Sequence, residues 1–292
     1  MLAALTFCHT NASALIASEL GVNPNIASRY SMNEKNTMDS DEVDSDPKYL
    51  YRYRGCNKNS FSELANGNVW FSTLDMYNDP FEVLIDHFHF IGNFEKHKHM
   101  KEKEEELNAF FEASIQTIAA QVKSVGVLCF SSKNNNHLMW SHYADSHNGF
   151  CIEYKRNTKE NMWQATRPVN YVDDITELFN GIVSYISKCK VEGCVPIKNP
   201  KEKSEEIIYT KNSQWSYENE WRLIDGNTGS GLTRLPVDIS RIIFGFRMST
   251  GDKQTVYNLT RNIDGIKYSQ CNGAINNKFK MEIEELPTKM FR

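Results

Sequence analysis

Long apolar runs are missing from this chain of 292 residues. No stretch of about eighteen or more apolar residues occurs, so the sequence predicts no membrane-spanning helix. The start of the chain lacks the basic segment of a secretory signal, and the seven cysteines are an odd number. Both features favour reduced thiols in the cytoplasm. We therefore expect a cytoplasmic protein with no membrane partner.

A surplus of positive charge is missing as well, since the formal net charge is −4 at pH 7. An extended nucleic-acid-binding surface needs clustered basic residues, so this charge argues against one. The sequence also contains no glycine-rich phosphate loop, no internal repeat and no G-x-S-x-G motif. Their absence argues against P-loop hydrolases, repeat proteins and serine hydrolases. A small basic pocket remains compatible with the overall charge.

Two parts of the chain differ in composition. Residues 1–47 end in a polar, acidic stretch, and such a segment buries too little apolar area to offset the entropy of ordering it. We therefore expect residues 1–47 to form a flexible N-terminal leader. Residues 48–292 carry strand-like and helix-like segments with many aromatic side chains, and we expect them to form a single domain.

The first strand-like segment, YLYRYR at 49–54, alternates strictly. Its period of two places the tyrosines, Tyr53 among them, on one face and Arg52 and Arg54 on the other. An arginine on an inward face must be paired or must bind an anion, and its planar fork suits a phosphate or a pyrophosphate. The open alternative is a structural ion pair with Glu82 or Glu153.

The rest of the chain predicts helices interspersed with strands. Ser60 followed by Glu63 matches a capping box, and Asn66-Gly67 marks the end of that helix. Later segments add strands such as VGVLCFS and GFCIEYK, and helices with an apolar stripe. Because the order lacks a βαβ rhythm, we expect an α+β fold rather than a doubly wound sheet.

The strongest local signal is Glu218-Asn219-Glu220-Trp221-Arg222. On a strand, Glu218, Glu220 and Arg222 share one face, with the two carboxylates about 7 Å apart. Two close carboxylates raise each other's cost of ionisation, and an arginine offsets part of that cost. Such a pair binds a ribose diol or polarises a nucleophile. The alternative is a charge ladder on a solvated strand face.

The segment LMWSHYADSHNG concentrates aromatic and imidazole groups, namely Trp140, His142, Tyr143 and His147. These side chains suit stacking on a nicotinamide or adenine ring and hydrogen bonds to its edge. The alternative is the end of an amphipathic helix. A metal site that combines His142, His147 and Glu153 has no established ligand spacing, so we predict no metal ligand.

Five blocks together resemble the bacterial domain of unknown function 2971 family, over about Lys48 to Leu286. They are YLYRYR, GNVWFSTLDMYNDPFE, VGVLCFSSKNNNHLMWSHYADSHNGFCIEY, WSYENEWRLI and IIFGFRMS. More distantly, the chain is similar to the ADP-ribosyltransferase fold, in its anchored first strand, its serine-ending strand and its late E-x-E strand. This resemblance implies a mixed, mainly antiparallel split sheet with flanking helices, and NAD as the substrate.

The same resemblance implies roles for individual residues. Arg52 or Tyr53 is similar to the anchor that holds NAD. Ser131 or Ser72 is similar to the serine that supports the nicotinamide-side ribose. Taken together with the aromatic and imidazole groups singled out above, which have no counterpart in that fold, the candidate cofactor-binding residues are Arg52, Tyr53, Arg54, Glu82, Ser131, Trp140, His142, Tyr143, His147 and Arg222.

The acidic pair completes the implied site, because Glu220 is similar to the catalytic glutamate and Glu218 to the residue that orients the acceptor. We therefore expect an intracellular ADP-ribosyltransferase-like enzyme that cleaves NAD at the nicotinamide–ribose bond, such as a toxin or phage-defence effector with a macromolecular acceptor. One alternative is a non-catalytic nucleotide-binding or sensor domain. The other is a phosphodiesterase whose divalent metal is bound by carboxylates, namely Asp79, Glu82, Glu218 and Glu220.

Overall fold

The computed structural model describes residues 46–82, 102–157, 159, 161–191, 200–226, 229–234, 237–273 and 281–291. The expected leader lies outside these residues, apart from Asp46 and Pro47, and its boundary stays a prediction. Within the described ranges, no helix has the length and apolar character that a membrane span requires.

The α-helices of the described residues are short except for two. They are α1 (Lys58–Asn66), α2 (Glu102–Ser124), α3 (His137–Tyr143), α4 (Asn161–Ala165), α5 (Thr176–Val191), α6 (Lys201–Ile208) and α7 (Thr250–Thr260). Single 3-10 turns or short 3-10 helices occur at Leu74–Met76, Pro80–Glu82, Ser213–Glu218 and Thr288–Phe291.

The strands are mostly four to six residues long. They are β1 (Tyr49–Arg54), β2 (Asn68–Phe71), β3 (Gly126–Ser131), β4 (Phe150–Lys155), β5 (Arg167–Pro168), β6 (Asn170–Val172), β7 (Thr210–Asn212), β8 (Glu220–Asp225), β9 (Gly231–Arg234), β10 (Ile239–Phe244), β11 (Lys267–Asn272) and β12 (Glu282–Leu286).

The main sheet has eight strands in the order β12-β11-β10-β4-β1-β3-β8-β5. Its neighbours are antiparallel except for β10 and β11, which run parallel. Two small sheets accompany it, an antiparallel β2–β9 pair and a parallel β6–β7 pair. The predicted α+β class with a mainly antiparallel sheet is confirmed.

The centre of the main sheet is unevenly paired. All six residues of β1 pair with β4, whereas β1 and β3 pair at one position, Tyr51 with Ser131. At its other end β3 bonds instead to the residue after β2, through a bridge between Val127 and Ser72. The sheet therefore opens between β1 and β3, with β2 beside the opening.

The core lies on both faces of this sheet. One cluster includes Leu50, Ile152 and Ile242 of the central strands and packs against α7. A second cluster joins the helices α2, α5 and α6 and contains Ile118 and Ile182. Each cluster contributes a side chain to the opening between β1 and β3, Phe130 from the first and Val127 from the second, beside the charged side chains described below.

The start of α1 differs from the prediction. Asn57, rather than Ser60, is the N-cap residue, and its side chain accepts hydrogen bonds from the backbone N–H groups of Asn59 and Ser60. The predicted end is confirmed, because Gly67 follows the helix in the left-handed conformation with φ of 63°. Glu63 does not cap the helix, and its carboxylate instead contacts Arg54 of β1.

Candidate functional site

An open cavity of about 370 Å³ lies where β1 and β3 separate. A volume of this size falls within the range of small-molecule sites. The predicted site residues that line it are Arg52, Tyr53, Arg54, Glu82, Ser131, Tyr143, Glu218 and Glu220. The predicted site residues outside its lining are Trp140, His142, His147 and Arg222.

Two arginines of β1, Arg52 and Arg54, form the cationic wall of the cavity. Both pair with one carboxylate, Glu63 of α1, through Arg54 Nε at 2.8 Å and Arg52 Nη1 at 3.6 Å. Glu63 also accepts from the backbone N–H of Trp70, at 2.8 Å. The alternative interpretation, a structural ion pair, is observed with Glu63 rather than with Glu82 or Glu153, and two guanidinium groups face this single carboxylate.

One guanidinium nitrogen in this wall, Nη1 of Arg52, makes an ion pair but no hydrogen bond within the described part of the chain. Arg52 is 7% exposed, and its Nη1 is buried without a hydrogen-bond partner among the described residues. At 3.6 Å this nitrogen is ion-paired with Glu63 but lies beyond hydrogen-bond distance, so the charge of Arg52 is only partly matched by that carboxylate.

On the opposite side of the cavity lies the carboxylate cluster, defined as Glu82, Glu218 and Glu220. Lys211 of β7 reaches all three, with its Nζ 2.7 Å from Glu82, 2.6 Å from Glu218 and 3.0 Å from Glu220. The three carboxylates and Lys211 are each no more than 7% exposed. Burial of four charges in direct contact is tolerated because each has a partner of opposite sign.

Arg222 lies beneath this cluster and is fully buried. Its Nε and Nη2 donate to the two oxygens of Glu220, at 2.8 and 3.0 Å, and Nη2 also donates to Glu82 at 2.9 and 3.0 Å. Its Nη1 donates to the backbone oxygen of Ile208. Three carboxylates thus face two cations, which leaves one net negative charge when all are ionised.

The pKa values of the two paired carboxylates shift in opposite directions. Burial alone raises the pKa of Glu220, but Arg222 and Lys211 outweigh it and lower the value to about 2. Burial and the neighbouring Glu220 raise the pKa of Glu218 above its usual value, against the opposing effects of Lys211 and Tyr143. Burial lowers the pKa of Lys211, yet the surrounding glutamates raise it further and keep the ammonium charged.

The backbone around the acidic pair departs from the predicted strand. Ser213–Glu218 forms a 3-10 helix, Asn219 has a left-handed φ of 46°, and β8 begins only at Glu220. Glu218 and Glu220 therefore do not share a strand face. They converge because the chain reverses at Asn219, a residue type that tolerates this conformation.

Ser131 at the end of β3 holds this reversal in place. Its hydroxyl donates to the backbone oxygen of Glu218 at 2.6 Å, and the N–H of Ser132 donates to the oxygen of Asn219 at 2.9 Å. The hydroxyl of Ser131 thus makes a structural hydrogen bond to the backbone of Glu218, and its contact with a ribose stays a prediction. Ser72, the other candidate, also lines the cavity.

The Trp140–His147 segment contributes one side chain to the cavity, Tyr143. Trp140 is fully buried and lies edge-on to Tyr53, with 5.2 Å between ring centroids. His147 stacks over Trp140 at 6.3 Å, and His142 is exposed. Trp140, His142 and His147 therefore lie outside the lining of the cavity described above, and their predicted stacking on a ligand ring stays a prediction.

A partly buried thiol, that of Cys129, also lines the cavity. The hydroxyl of Tyr77 and the Sγ of Cys129 are 2.8 Å apart, and Arg222 lies over the Tyr77 ring. Burial, followed by the negative charge of Glu220, raises the pKa of Cys129 well above its usual value. A neutral thiol is a poor nucleophile.

Two residues of the site were missed in the sequence. Lys211 lies in a polar three-residue strand and carries no motif. Glu63 was assigned to a helix cap. Within the described ranges, no group of three or more His, Cys, Asp or Glu side chains is arranged to hold a metal ion. In the carboxylate cluster, the ammonium of Lys211 lies between the acidic groups, in the position that a bridging cation would take.

Comparison with known protein families gives a match to part of the chain. The model of a family described as Protein of unknown function (DUF2971) matches residues 139–223, which confirms the predicted resemblance for that stretch. The matched stretch begins within α3 and ends within β8, so it contains Tyr143, Lys211, Glu218 and Glu220. No curated protein and no solved structure shows a significant match to the chain.

Proposed function

Starting from a chain whose residues 139–223 match the DUF2971 family, we propose an ADP-ribosyltransferase-like enzyme that binds NAD between β1 and β3 and cleaves its nicotinamide–ribose bond. The observation that carries the proposal is the opposite charge of two sides of one cavity. The cationic wall sets two guanidinium groups, those of Arg52 and Arg54, against one carboxylate, Glu63. The carboxylate cluster, counted with Lys211 and Arg222, carries one net negative charge when all its groups are ionised.

Two groups of NAD match the two sides of the cavity, namely the pyrophosphate and the nicotinamide-side ribose. Its pyrophosphate is an anion that suits the planar forks of Arg52 and Arg54. Its nicotinamide-side ribose becomes cationic when the bond from C1′ to the ring nitrogen breaks, since the electron pair leaves with neutral nicotinamide. A preformed negative site stabilises that developing charge. The carboxylate cluster supplies such a site in a setting shielded from water.

Of the two candidate catalytic carboxylates, Glu218 suits proton transfer and Glu220 suits charge stabilisation. The pKa of Glu220 is held low by Arg222 and Lys211, against the effect of its burial, so this group stays ionised. Burial raises the pKa of Glu218, which favours it as the base that takes the proton of the attacking hydroxyl or water. The proposed likeness to the ADP-ribosyltransferase fold rests on Arg52, Ser131 and this acidic pair.

The test is release of nicotinamide from NAD by the purified protein, with and without cell extract. We expect Glu218→Gln to lower the rate about a hundredfold or more, because it removes a general base. Glu205→Gln is the matched control, since Glu205 pairs with Arg167 outside the cavity lining. Labelled NAD identifies the acceptor when a macromolecule of the extract becomes labelled.

Two results would count against this function. Absence of nicotinamide release by the wild type, with water and with extract alike, contradicts NAD cleavage. An equal rate in Glu218→Gln and the wild type removes Glu218 from catalysis. Glu218 is the better variant than Glu220, because loss of Glu220 also strips Arg222 of its buried partner.

A nucleotide sensor without turnover is the second candidate. The observation in its favour is that Arg222 occupies both oxygens of Glu220, and Lys211 a further position on one of them. Under this candidate, ADP-ribose or NAD raises the unfolding temperature while no nicotinamide is released.

A further inference from the structure

Helix α3 reaches the cavity through two side chains, Met139 and Tyr143, and of these Tyr143 contacts the carboxylate cluster. The hydroxyl of Tyr143, the last residue of α3, donates to Oε1 of Glu218 at 2.6 Å. The other oxygen, Oε2, accepts from Lys211 Nζ at 2.6 Å. Each oxygen of Glu218 is thus held by its own donor, from a different element of the fold.

The beginning of α3 is fixed to the same stretch of chain as Glu218. Asn136 caps the helix by accepting from the N–H of Leu138 at 2.8 Å, and its Nδ2 donates to the backbone oxygen of Tyr217 at 2.8 Å. Trp140 anchors the middle of the helix, because its ring is fully buried and its Nε1 donates to the oxygen of Asn134 at 2.8 Å.

The end of α3 is fixed by a left-handed turn, defined as Asp145, Ser146 and His147. Their φ angles are 49°, 51° and 71°, a conformation that residues other than glycine adopt at an energetic cost. Backbone hydrogen bonds hold it, from His147 N–H to Trp140 oxygen at 3.1 Å and from Arg247 N–H to His147 oxygen at 3.0 Å. Three strained residues in a row persist only where the surroundings determine them, and such strain is concentrated at functional sites.

From this geometry we infer that Tyr143 is a positioning residue, which orients the Glu218 carboxylate at the cavity, and that α3 with its left-handed turn serves to hold Tyr143 there. The inference rests on the proposed function, since the proposed reaction is what uses Glu218. Under this inference, the Trp140–His147 segment acts by holding Tyr143 in place and not by stacking on a ligand ring. Lys211 fixes one oxygen, and Tyr143 fixes the oxygen that Lys211 leaves free.

A phenol that donates to a carboxylate also favours the ionised form of that carboxylate. Burial, followed by Glu220, raises the pKa of Glu218, and the hydrogen bonds from Lys211 and Tyr143 act in the opposite direction. Removal of the Tyr143 hydroxyl therefore raises the pKa of Glu218 further. If ionised Glu218 is the base, the acidic limb of the pH–rate profile moves to higher pH.

The experiment compares Tyr143→Phe with Tyr217→Phe, which removes the same hydroxyl from a neighbouring tyrosine outside the cavity lining. The first readout is the pH profile of kcat/KM for nicotinamide release. The second is the titration of the Glu218 carboxyl, followed by NMR with carbon-13-labelled glutamate and assigned by its loss in Glu218→Gln. We expect both to move up by about one pH unit in Tyr143→Phe, since a hydrogen bond to a charged group is worth about that much. Tyr217→Phe should move neither.

The two readouts separate this inference from the proposed function. A raised carboxyl titration in a protein that releases no nicotinamide supports the positioning by Tyr143 and contradicts the enzyme. An unchanged titration and an unchanged acidic limb in Tyr143→Phe overturn the inference, even where the wild type cleaves NAD. Should Tyr143→Phe fail to fold, Asn136→Ala, which keeps the hydroxyl and loosens α3, must shift the titration in the same direction, and an unshifted titration overturns the inference.

Discussion

The surroundings of Glu218 and Glu220 shift the pKa values of these two glutamates in opposite directions. Burial opposes the ionisation of both, but the two-pronged contact with Arg222 is made to Glu220, and it lowers that pKa to about 2. Glu218 shares Lys211 with two other carboxylates, and its pKa is raised. When environments separate the pKa values of two carboxyl groups, the pair divides into an ionised group and a group that exchanges protons.

The low pKa of Glu220 makes a prediction about acid stability. The folded pKa of about 2 lies below the ordinary value of 4.5, so the stabilisation is present above pH 4.5 and is lost as the pH falls towards 2. Urea unfolding should therefore show that the stability gap between the wild type and Glu220→Gln narrows by about 3 kcal/mol over this interval. The measurement extends to the lowest pH at which the folded form persists.

A constant gap across that interval would show that the ion pair with Arg222 does not set the pKa of Glu220. Glu205→Gln is the control, because Glu205 is partly exposed and its pairing with Arg167 is a surface contact. Its difference from the wild type should be small at every pH.

Single residues were predictable where a motif placed several unlike groups together. The alternation of YLYRYR and the E-N-E-W-R block indicated Arg52, Arg54, Glu218 and Glu220, all of which line the cavity. Lys211 gave no such signal, since a lysine in a polar segment is ordinarily solvated. Its position among three carboxylates depends on contacts between β7, β8 and the Pro80–Glu82 turn, and no local pattern encodes contacts of that range.

At the scale of elements, the segment before β8 shows the limit of periodicity. The sequence WSYENEWRLI alternates well enough to suggest one strand, yet the chain forms a 3-10 helix up to Glu218. Asn212 caps that helix by accepting from the N–H of Gln214, and Asn219 ends it in the left-handed region. Both asparagines offered a turn signal that competes with alternation over so short a stretch.

The left-handed turn packs closely against Gly245, so we expect this glycine not to tolerate a side chain. A Cβ on Gly245 would lie 2.2 Å from the backbone oxygen of His147, so the backbone at one of the two residues would have to move. Gly245→Ala should destabilise the fold by about 3 kcal/mol, measured by urea unfolding. Gly181→Ala in α5 is the matched control, since no atom lies within 4 Å, and helix propensity should stabilise it by up to about 1 kcal/mol. Equal stability of the two variants would mean that the turn is not closely packed against Gly245.

At the scale of the whole molecule, the order of the strands could not be predicted from the sequence. β1 lies between β3 and β4 and contacts them from a distant part of the chain, so its neighbours are chosen by packing rather than by local pattern. The resemblance to the ADP-ribosyltransferase fold implied a split sheet, and the single pairing of Tyr51 with Ser131 is where the sheet opens. The cavity lies at that opening, because Arg52 and Arg54 extend from β1, whereas Glu220 belongs to β8, which pairs with the other side of β3.

A ligand that spans the opening joins the two sides and should stabilise the molecule as a whole. ADP-ribose, which lacks the scissile bond, should raise the free energy of unfolding by about 2.7 kcal/mol when present at about a hundred times its Kd. Arg52→Met should weaken binding about tenfold or more, because it removes a charge-assisted donor to the pyrophosphate.

The control is Arg167→Met, which loses the same charge at a surface site outside the cavity lining. The free energy of unfolding is measured for each variant without and with ADP-ribose, so that any change in intrinsic stability cancels. Equal ligand stabilisation in Arg52→Met and Arg167→Met would place the bound pyrophosphate away from β1. Because Arg52 lines the cavity and shares its carboxylate partner Glu63 with Arg54, its loss should weaken ligand binding more than the loss of the surface residue Arg167.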